Sequence, residues 1–312
     1  MPVTLALLDS ASLYFRSYFA LPDSITSPDG IPVNAARGFT DTVARIITDR
    51  KPRRLVACLD ADWRPAFRVA LLPSYKAHRV ADEAANVEEV PDMLSPQVPI
   101  ILDLLAAAGL ATGEAAGYEA DDVIGTLTER ERQDPVEVIT GDRDLFQVVR
   151  DEPSPTRVIY VGKGWARAEV LGPVELAERY GLPLVDTGPG YADMALLRGD
   201  PSDGLPGVVG IGEKTAAKLI TEYGSLHGLL VAAQQGKVPN KVAARLADAA
   251  DYLAVAPRVV RVAVDAPVRM SGPDAIPALP ADPDRLAELA KRWGLESSVR
   301  RLTDAMAANA NR

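Results

Sequence analysis

Three stretches of this chain are apolar almost without interruption, and each runs into an acidic residue. Residues 3–8 end at Asp9, residues 55–59 end at Asp60, and residues 136–140, polar only at Glu137, lead to Gly141-Asp142. Continuous rather than alternating hydrophobicity predicts strands covered on both faces, as in a parallel sheet between helical layers. In such sheets the ligand site lies outside the carboxyl ends of the strands. A helix cap is the plain alternative for any one of these aspartates, but three placed independently at strand ends point to a shared site.

Between the strands the apolar positions take helical spacing at residues 34–49, 97–108 and 120–132. In the last of these, Glu119 and Asp122 share a face, with Asp121 about 100° round the axis. Carboxylates in a first turn gain from the helix dipole, yet three acids in four residues exceed what capping requires. Residues 157–168, with Gly162-Lys163-Gly164 at their centre, read as an edge hairpin. Residues 172–180 and 191–197 read as helices, and a domain boundary falls near residue 185. Residues 264–283, rich in Pro, Ala and Asp, read as a connector, and 284–309 as two amphipathic helices broken at Gly294.

The acids carry the chemistry. Asp9, Asp60, Glu119, Asp121, Asp122, Asp142, Asp144, Asp200 and Asp203 fall in five short clusters. Gathered in one pocket they would repel and raise one another's pKa unless divalent cations neutralised them. Oxygen-only donors select Mg²⁺ or Mn²⁺ over zinc, and two or more such ions are a standard device for phosphodiester cleavage.

Composition narrows the alternatives. At 312 residues, with 47% hydrophobic positions, the chain suits a large domain with a smaller one. No run approaches the roughly 20 apolar residues of a membrane span, and the amino terminus lacks the basic region of a signal peptide, so a cytoplasmic location is expected. The lone Cys58 excludes an intrachain disulfide and lies within an apolar run as a small core residue. His78 and His227 have no triad context. A net charge of −9 argues against a polyanionic partner only until bound divalent ions are counted, because the acidic clusters alone account for the excess.

Residues 207–216, GVVGIGEKTA, place two glycines where a helix begins. No strand precedes them, so a dinucleotide loop is excluded by context. The better reading is helix, glycine hairpin, helix, with the N–H groups of Gly210 and Gly212 holding a DNA phosphate and Lys214 and Thr215 adding a charge and a hydroxyl.

With these residues in view the chain resembles the 5′ nucleases of the flap endonuclease group, including the 5′–3′ exonuclease domain of bacterial DNA polymerase I. The resemblance covers nearly the whole chain. It rests on LLDSASLYFRSYFALP, LDADWRPAFR, LPSYKAHR, GYEADDVIGTL, ITGDRDLFQVV and LLRGDPSDGLPGVVGIGEKTAAKLI, in that order. It implies an α/β fold with a mixed, largely parallel sheet and flanking helices, a helical arch at about 73–98, and a helical C-terminal region. The nuclease domain would span 1–185 and the C-terminal domain 186–312, with a helix-three-turn-helix element at about 200–223.

The resemblance makes all nine acids the metal site. It makes Lys76 a contact to the scissile phosphate and Arg79 a guide for the 5′ strand, both catalytic. Tyr75 would stack on a base, and Arg16 and Arg68 would support DNA. The family usually has Asn after the last aspartate; here Gly204 follows Asp203, which bears on the local loop and on a monovalent cation in the helix-three-turn-helix. The implied activity is a structure-specific, divalent-metal-dependent 5′ nuclease acting as a monomer on 5′ flaps, nicked or gapped duplex and RNA primers, leaving 5′-phosphates, with no membrane partner. Its rivals are a catalytically silent DNA-binding protein of the same fold and a phosphohydrolase with an aspartyl nucleophile. The second lacks an acid two residues after Asp9, where Ala11 stands.

Overall fold

The computed structural model describes residues 3–82, 87–88 and 91–311. The chain runs β1 (Leu5–Asp9), α1 (Ser10–Ala20), α2 (Asn34–Arg50), β2 (Arg54–Cys58), α3 (Ala66–Leu71), β3 (Val80–Asp82), β4 (Val87–Glu88), α4 (Gln97–Ala108), β5 (Ala111–Glu114), α5 (Ala120–Arg130) and β6 (Val136–Thr140). It continues with β7 (Thr156–Tyr160), β8 (Glu169–Leu171), α6 (Pro173–Tyr180), α7 (Thr187–Arg198), α8 (Glu213–Tyr223), α9 (Leu226–Gln234), α10 (Asn240–Asp248), α11 (Ala250–Val260), β9 (Arg269–Met270), α12 (Pro283–Trp293) and α13 (Glu296–Ala310).

Among the described residues the main sheet has seven strands in the order β8-β7-β6-β1-β2-β5-β9. The inner pairings are parallel and the two edges antiparallel. The order reverses at β1, which lies between β6 and β2, so Asp9, Asp60 and Asp142 leave three adjacent strands on one side of the sheet, at the crevice where such folds take ligands. Every residue of β1 is buried. Leu5 and Leu7 pack into one core with Phe146 and Tyr191, whereas Ala6 and Leu8 pack into the other with Phe39 and Ile46. Cys58 is buried in the first of these, as a core residue should be. No helix among the described residues is long and apolar enough to cross a membrane.

The elements depart from the sequence pattern in particular places. Helix α5 stops at Arg130 because Glu131 turns extended and its carboxylate collects the N–H groups of Arg132, Gln133 and Asp134. Helix α7 begins at Thr187, ahead of the expected residue 191. Its Pro189 lies in the first turn, where no N–H is needed. Its Gly188 packs on residues 147–149, where a Cβ would stand 2.4 Å from the Gln147 carbonyl oxygen. In the edge hairpin the second strand starts only at Glu169, after a short 3₁₀ turn over Trp165–Arg167.

The connector expected over 264–283 contributes β9 to the sheet edge. Beyond it, α12 and α13 return to pack on α4 and α2. Over its described residues the segment expected as a helical arch, about 73–98, is a turn, a 3₁₀ turn (Ala77–Arg79) and the antiparallel pair β3–β4, with α4 starting at Gln97. Residues 83–86 and 89–90 lie outside the described residues. Pro73, Pro91 and Pro96 deny the flanking backbone the N–H groups a helix would use.

Candidate active site

Asp9 closes β1 and caps α1, its Oδ1 accepting the Ser12 N–H at 3.1 Å and its Oδ2 the Thr140 hydroxyl at 2.6 Å. Asp60 follows β2 and accepts the Ala120 N–H at 2.7 Å, reaching the first turn of α5 from a different strand. Asp142 follows β6 and accepts the Asp144 N–H at 3.0 Å. The capping and clustering readings therefore hold together. Local hydrogen bonds fix each side chain, and the topology brings the fixed side chains to one cavity.

That cavity, about 890 Å³, is lined by seven of the nine expected acids: Asp9, Asp60, Glu119, Asp121, Asp142, Asp144 and Asp200. At Asp9, Asp60, Asp121 and Asp144 desolvation is the leading cause of altered acidity, with mutual repulsion added. It pushes Asp9 up to about 7 against the Thr140 hydrogen bond, with Asp142 and Asp60 adding to the rise. Asp121 is raised well above the ordinary range by burial and by Asp9 and Asp142. Asp144 is raised likewise by burial and by Asp142, Asp203 and Asp200. Asp60 also rises, through desolvation by the cavity walls and proximity to Glu119. Carboxylates held in this state favour a cation or a proton. Among the described residues no three stand close enough to share one metal ion; the donor chemistry, oxygen throughout, is that of a hard divalent cation.

The remaining two acids take other positions. Asp203 lines a small adjoining recess and pairs with Arg79 at 2.8 Å. Asp122 is fully buried and grips Arg68 with both oxygens. Glu119 is shared among Arg68, the Tyr75 hydroxyl and Lys76. Three expectations are corrected here. Asp122, expected as a metal ligand, has both oxygens committed to Arg68 and is closed to the cavity, so it leaves the metal set. Arg68, expected at DNA, is 3% exposed and surrounded by Asp122, Glu119 and the Val259 carbonyl, so it cannot reach a solvent-borne strand. Tyr75, expected to stack on a base, is 5% exposed with its hydroxyl on Glu119. Both were drawn inward because α3 packs against α11, a contact that local sequence does not announce.

Lys76 and Arg79 line the cavity. Lys76 adopts a left-handed backbone (φ 48°), and although burial works against its charge, Glu119 keeps its ammonium firmly protonated. Arg64 does not face the site: it clamps the turn by donating to the Tyr75 and Pro73 carbonyls at 2.7 and 3.0 Å. His78 is exposed. Arg16 enters from α1 and donates to the Gly162 carbonyl at 2.5 Å.

Gly210, Gly212, Lys214 and Thr215 are exposed where the loop after α7 enters α8, with Gly212 as N-cap and the N-terminus of α8 facing outward. Gly210 needs its glycine: φ is +79° and a Cβ would meet the Arg245 guanidinium at 2.7 Å. Sequence reasoning missed Phe15, Trp63, Arg143, Tyr160 and Arg198 in the cavity wall. Phe15 was reachable, since Ser12, Phe15 and Arg16 follow Asp9 at helical spacing.

Known proteins align with this architecture along its length. The family described as "5'-3' exonuclease, N-terminal resolvase-like domain" matches residues 4–181, and "5'-3' exonuclease, C-terminal SAM fold" matches 187–283. A 5'-3' exonuclease of Mycobacterium tuberculosis is 58% identical over 309 residues, covering 97% of each chain. A DNA polymerase I of Mycobacterium bovis is 41% identical over 249 residues, 78% of this chain but 26% of that protein. Among solved structures, T5 5'-exonuclease with divalent metal ions (zinc) bound superposes with a TM-score of 0.63 at 18% identity, covering 98% of this chain and 99% of that one.

Proposed function

Since this chain belongs to the 5′–3′ exonuclease family, we propose that it is a divalent-metal-dependent, structure-specific 5′ nuclease that cuts DNA at 5′ ends and 5′ flaps. The observation that carries the reading is the cavity itself, in which seven carboxylates, several pushed upward in pKa, face a rim of arginine and lysine. Such a pocket suits a polyanion only when cations occupy it. The T5 5'-exonuclease, whose fold this chain shares, has been solved with divalent metal ions (zinc) bound.

Asp9, Asp60, Asp121, Asp142, Asp144 and Asp200 would hold two or more Mg²⁺ or Mn²⁺ ions directly or through water, with Glu119 and Asp203 beside them. When bound, such ions activate water and neutralise charge on the phosphate and the leaving 3′ oxygen, so that products carry 5′-phosphates. Lys76 would move from Glu119 to the scissile phosphate, and Arg79 would guide the 5′ strand. Gly210, Gly212, Lys214 and Thr215 would hold the duplex backbone, and a monovalent cation could sit in the loop before α8. We assign 1–185 to the nuclease domain and 186–312 to the helical region, in a monomer working in the cytoplasm on nicks, gaps, flaps and RNA primers of replication and repair.

The test is cleavage of a labelled double-flap duplex with Mn²⁺ or Mg²⁺, reversible arrest by a chelator, and loss of cleavage in Asp142→Asn with flap binding in Ca²⁺ retained. Binding without cleavage in the wild type under every divalent ion would instead establish the silent DNA-binding reading. Near-normal turnover in Asp142→Asn would remove that residue from the site.

A further inference from the structure

Arg143 stands between two of the cavity acids in sequence and lines the cavity itself. Its neighbour in the cavity wall is Tyr160, at the end of β7, while Asp142 accepts from the Asp144 N–H. Arg16 reaches the cavity from α1, donating to the Gly162 carbonyl. Among the described residues neither arginine pairs with a carboxylate. The cavity's other cations do: Lys76 with Glu119, Arg79 with Asp203, and Arg198 with Glu213.

The packing that produces this arrangement is tight. A Cβ at Gly141 would stand 2.7 Å from the Arg16 Cδ, and one at Gly162 would stand 2.2 Å from the Tyr160 hydroxyl. Two glycines therefore let Arg16 and Tyr160 lie directly on the backbone at the ends of β6 and β7. The result is one wall with two guanidiniums that pair with no carboxylate among the described residues, Arg16 on the Gly162 carbonyl and Arg143 beside Tyr160. Their charge is left for something the cavity admits, and the guanidinium fork matches phosphate oxygens.

The wall also has a direction. Phe146 packs against Tyr160, Tyr180 and Tyr191, and residues 144–148 pack on α7, whose C-terminal end leads through the glycine loop to α8. Arg143 is thus on the side from which a duplex held by Gly210 and Gly212 would approach.

We propose that Arg143, together with Arg16, forms a phosphate subsite that holds the backbone phosphate next to the scissile one on the duplex side. The subsite rests on the nuclease reading above. It would fix the register of the cut by gripping the strand on the far side from Lys76 and Arg79.

The experiment measures binding of a 5′-flap duplex in Ca²⁺ by wild type, Arg143→Gln and Arg143→Lys, with circular dichroism to compare folds. Each protein is tested on unmodified DNA and on DNA with a single uncharged methylphosphonate moved along the backbone. Arg143→Gln should weaken binding about tenfold, as expected of one charge-assisted hydrogen bond. It should also lower the slope of log affinity against log salt by about 0.9, the signature of one lost phosphate contact. Arg143→Lys should retain the salt slope. In the wild type a methylphosphonate at the duplex-side neighbour should cause a similar loss, and in Arg143→Gln it should add nothing further. If the two losses multiply, or if Arg143→Gln binds as the wild type does, the subsite is wrong. Wild-type protein that neither binds nor cuts the unmodified flap overturns the nuclease reading, and the subsite with it, before any variant is compared.

Discussion

Arg68 and Asp122 face each other across the seam between α3 and α5 as a two-pronged ion pair, Nη1 to Oδ2 and Nη2 to Oδ1 both at 2.7 Å, with neither side chain open to solvent. The remaining groups are satisfied from other segments: the Arg68 Nε donates to the Val259 carbonyl at 2.9 Å, and the Asp122 Oδ1 accepts the Ala263 N–H at 2.7 Å. The pair therefore ties the acidic start of α5 to α3 and to the chain leaving α11. Removing one member of such a buried pair leaves the other charge stranded, at a cost of about 3–5 kcal/mol. Arg68→Met and Asp122→Asn should each lower unfolding stability in urea by that order, and Arg68→Met with Asp122→Leu by less than the sum. An Asp122→Asn protein of normal stability and no nuclease activity would return Asp122 to the metal set.

Gly204 stands where the resemblance to the flap endonuclease group leads one to expect Asn, and the local geometry favours glycine. Its φ is +70°, and a Cβ would stand 2.0 Å from the Ser74 carbonyl oxygen. Asn tolerates the backbone angle but not the missing space. The same contact seats the turn that carries Lys76, because the Lys76 N–H donates to the Asp203 carbonyl at 3.0 Å and the Ser74 hydroxyl to Gly204 at 2.8 Å. Gly204→Asn should lower stability by about 2 kcal/mol and slow cleavage by displacing Lys76. Thermal unfolding and single-turnover rates measure the two effects, and a variant equal to wild type in both would mean that the turn relaxes freely.

Lys76→Ala should reduce the single-turnover rate by a factor on the order of 10² or more, the usual cost of removing a cation that stabilises transition-state charge. Flap affinity should change much less. Equal losses in rate and affinity would make Lys76 a tether alone.

Gly212 offers a clean test of the duplex anchor. Its φ is −88° and a Cβ there would meet no atom within 4 Å. Gly212→Val should fold normally yet obstruct the N–H groups at the start of α8. Binding of duplex-bearing DNA should fall uniformly across sequences, because the contact is to backbone phosphate. Cleavage of a purely single-stranded 5′ end should suffer less. Equal losses on both substrates in a folded variant would end the anchoring role.

Glu131 couples stability to pH. Burial works against its charge, but the N–H groups of Asp134 and Gln133 and the Arg54 guanidinium outweigh it and bring the carboxyl down to about 2 from 4.5. A depressed folded-state pKa contributes stability that is complete above the unfolded value and lost as pH falls through the folded one. Glu131→Gln should therefore cost about 2 kcal/mol at pH 7, with the gap from wild type closing between about pH 4.5 and 2. Denaturant midpoints across that range measure it, and a pH-independent gap would point to packing alone.

The strands and their terminal aspartates were legible in the sequence because both are local properties. An unbroken apolar run reports burial on two faces, and an acid at its end reports a strand terminus at Asp9, Asp60 and Asp142 alike. The start of α5 and the glycine hairpin at Gly210 and Gly212 were legible for the same reason. Partner choice was not. Arg68 reads as one more basic residue before the arch, yet it is buried on an acid 54 positions away, and Arg143, between two aspartates in sequence, lies beside Tyr160 in the cavity wall and pairs with neither. Periodicity and local charge decide which elements form and where acids cluster. Which charge is neutralised, and which is left facing the cavity, depends on desolvation by segments distant in the chain, and only the packed tertiary structure decides that.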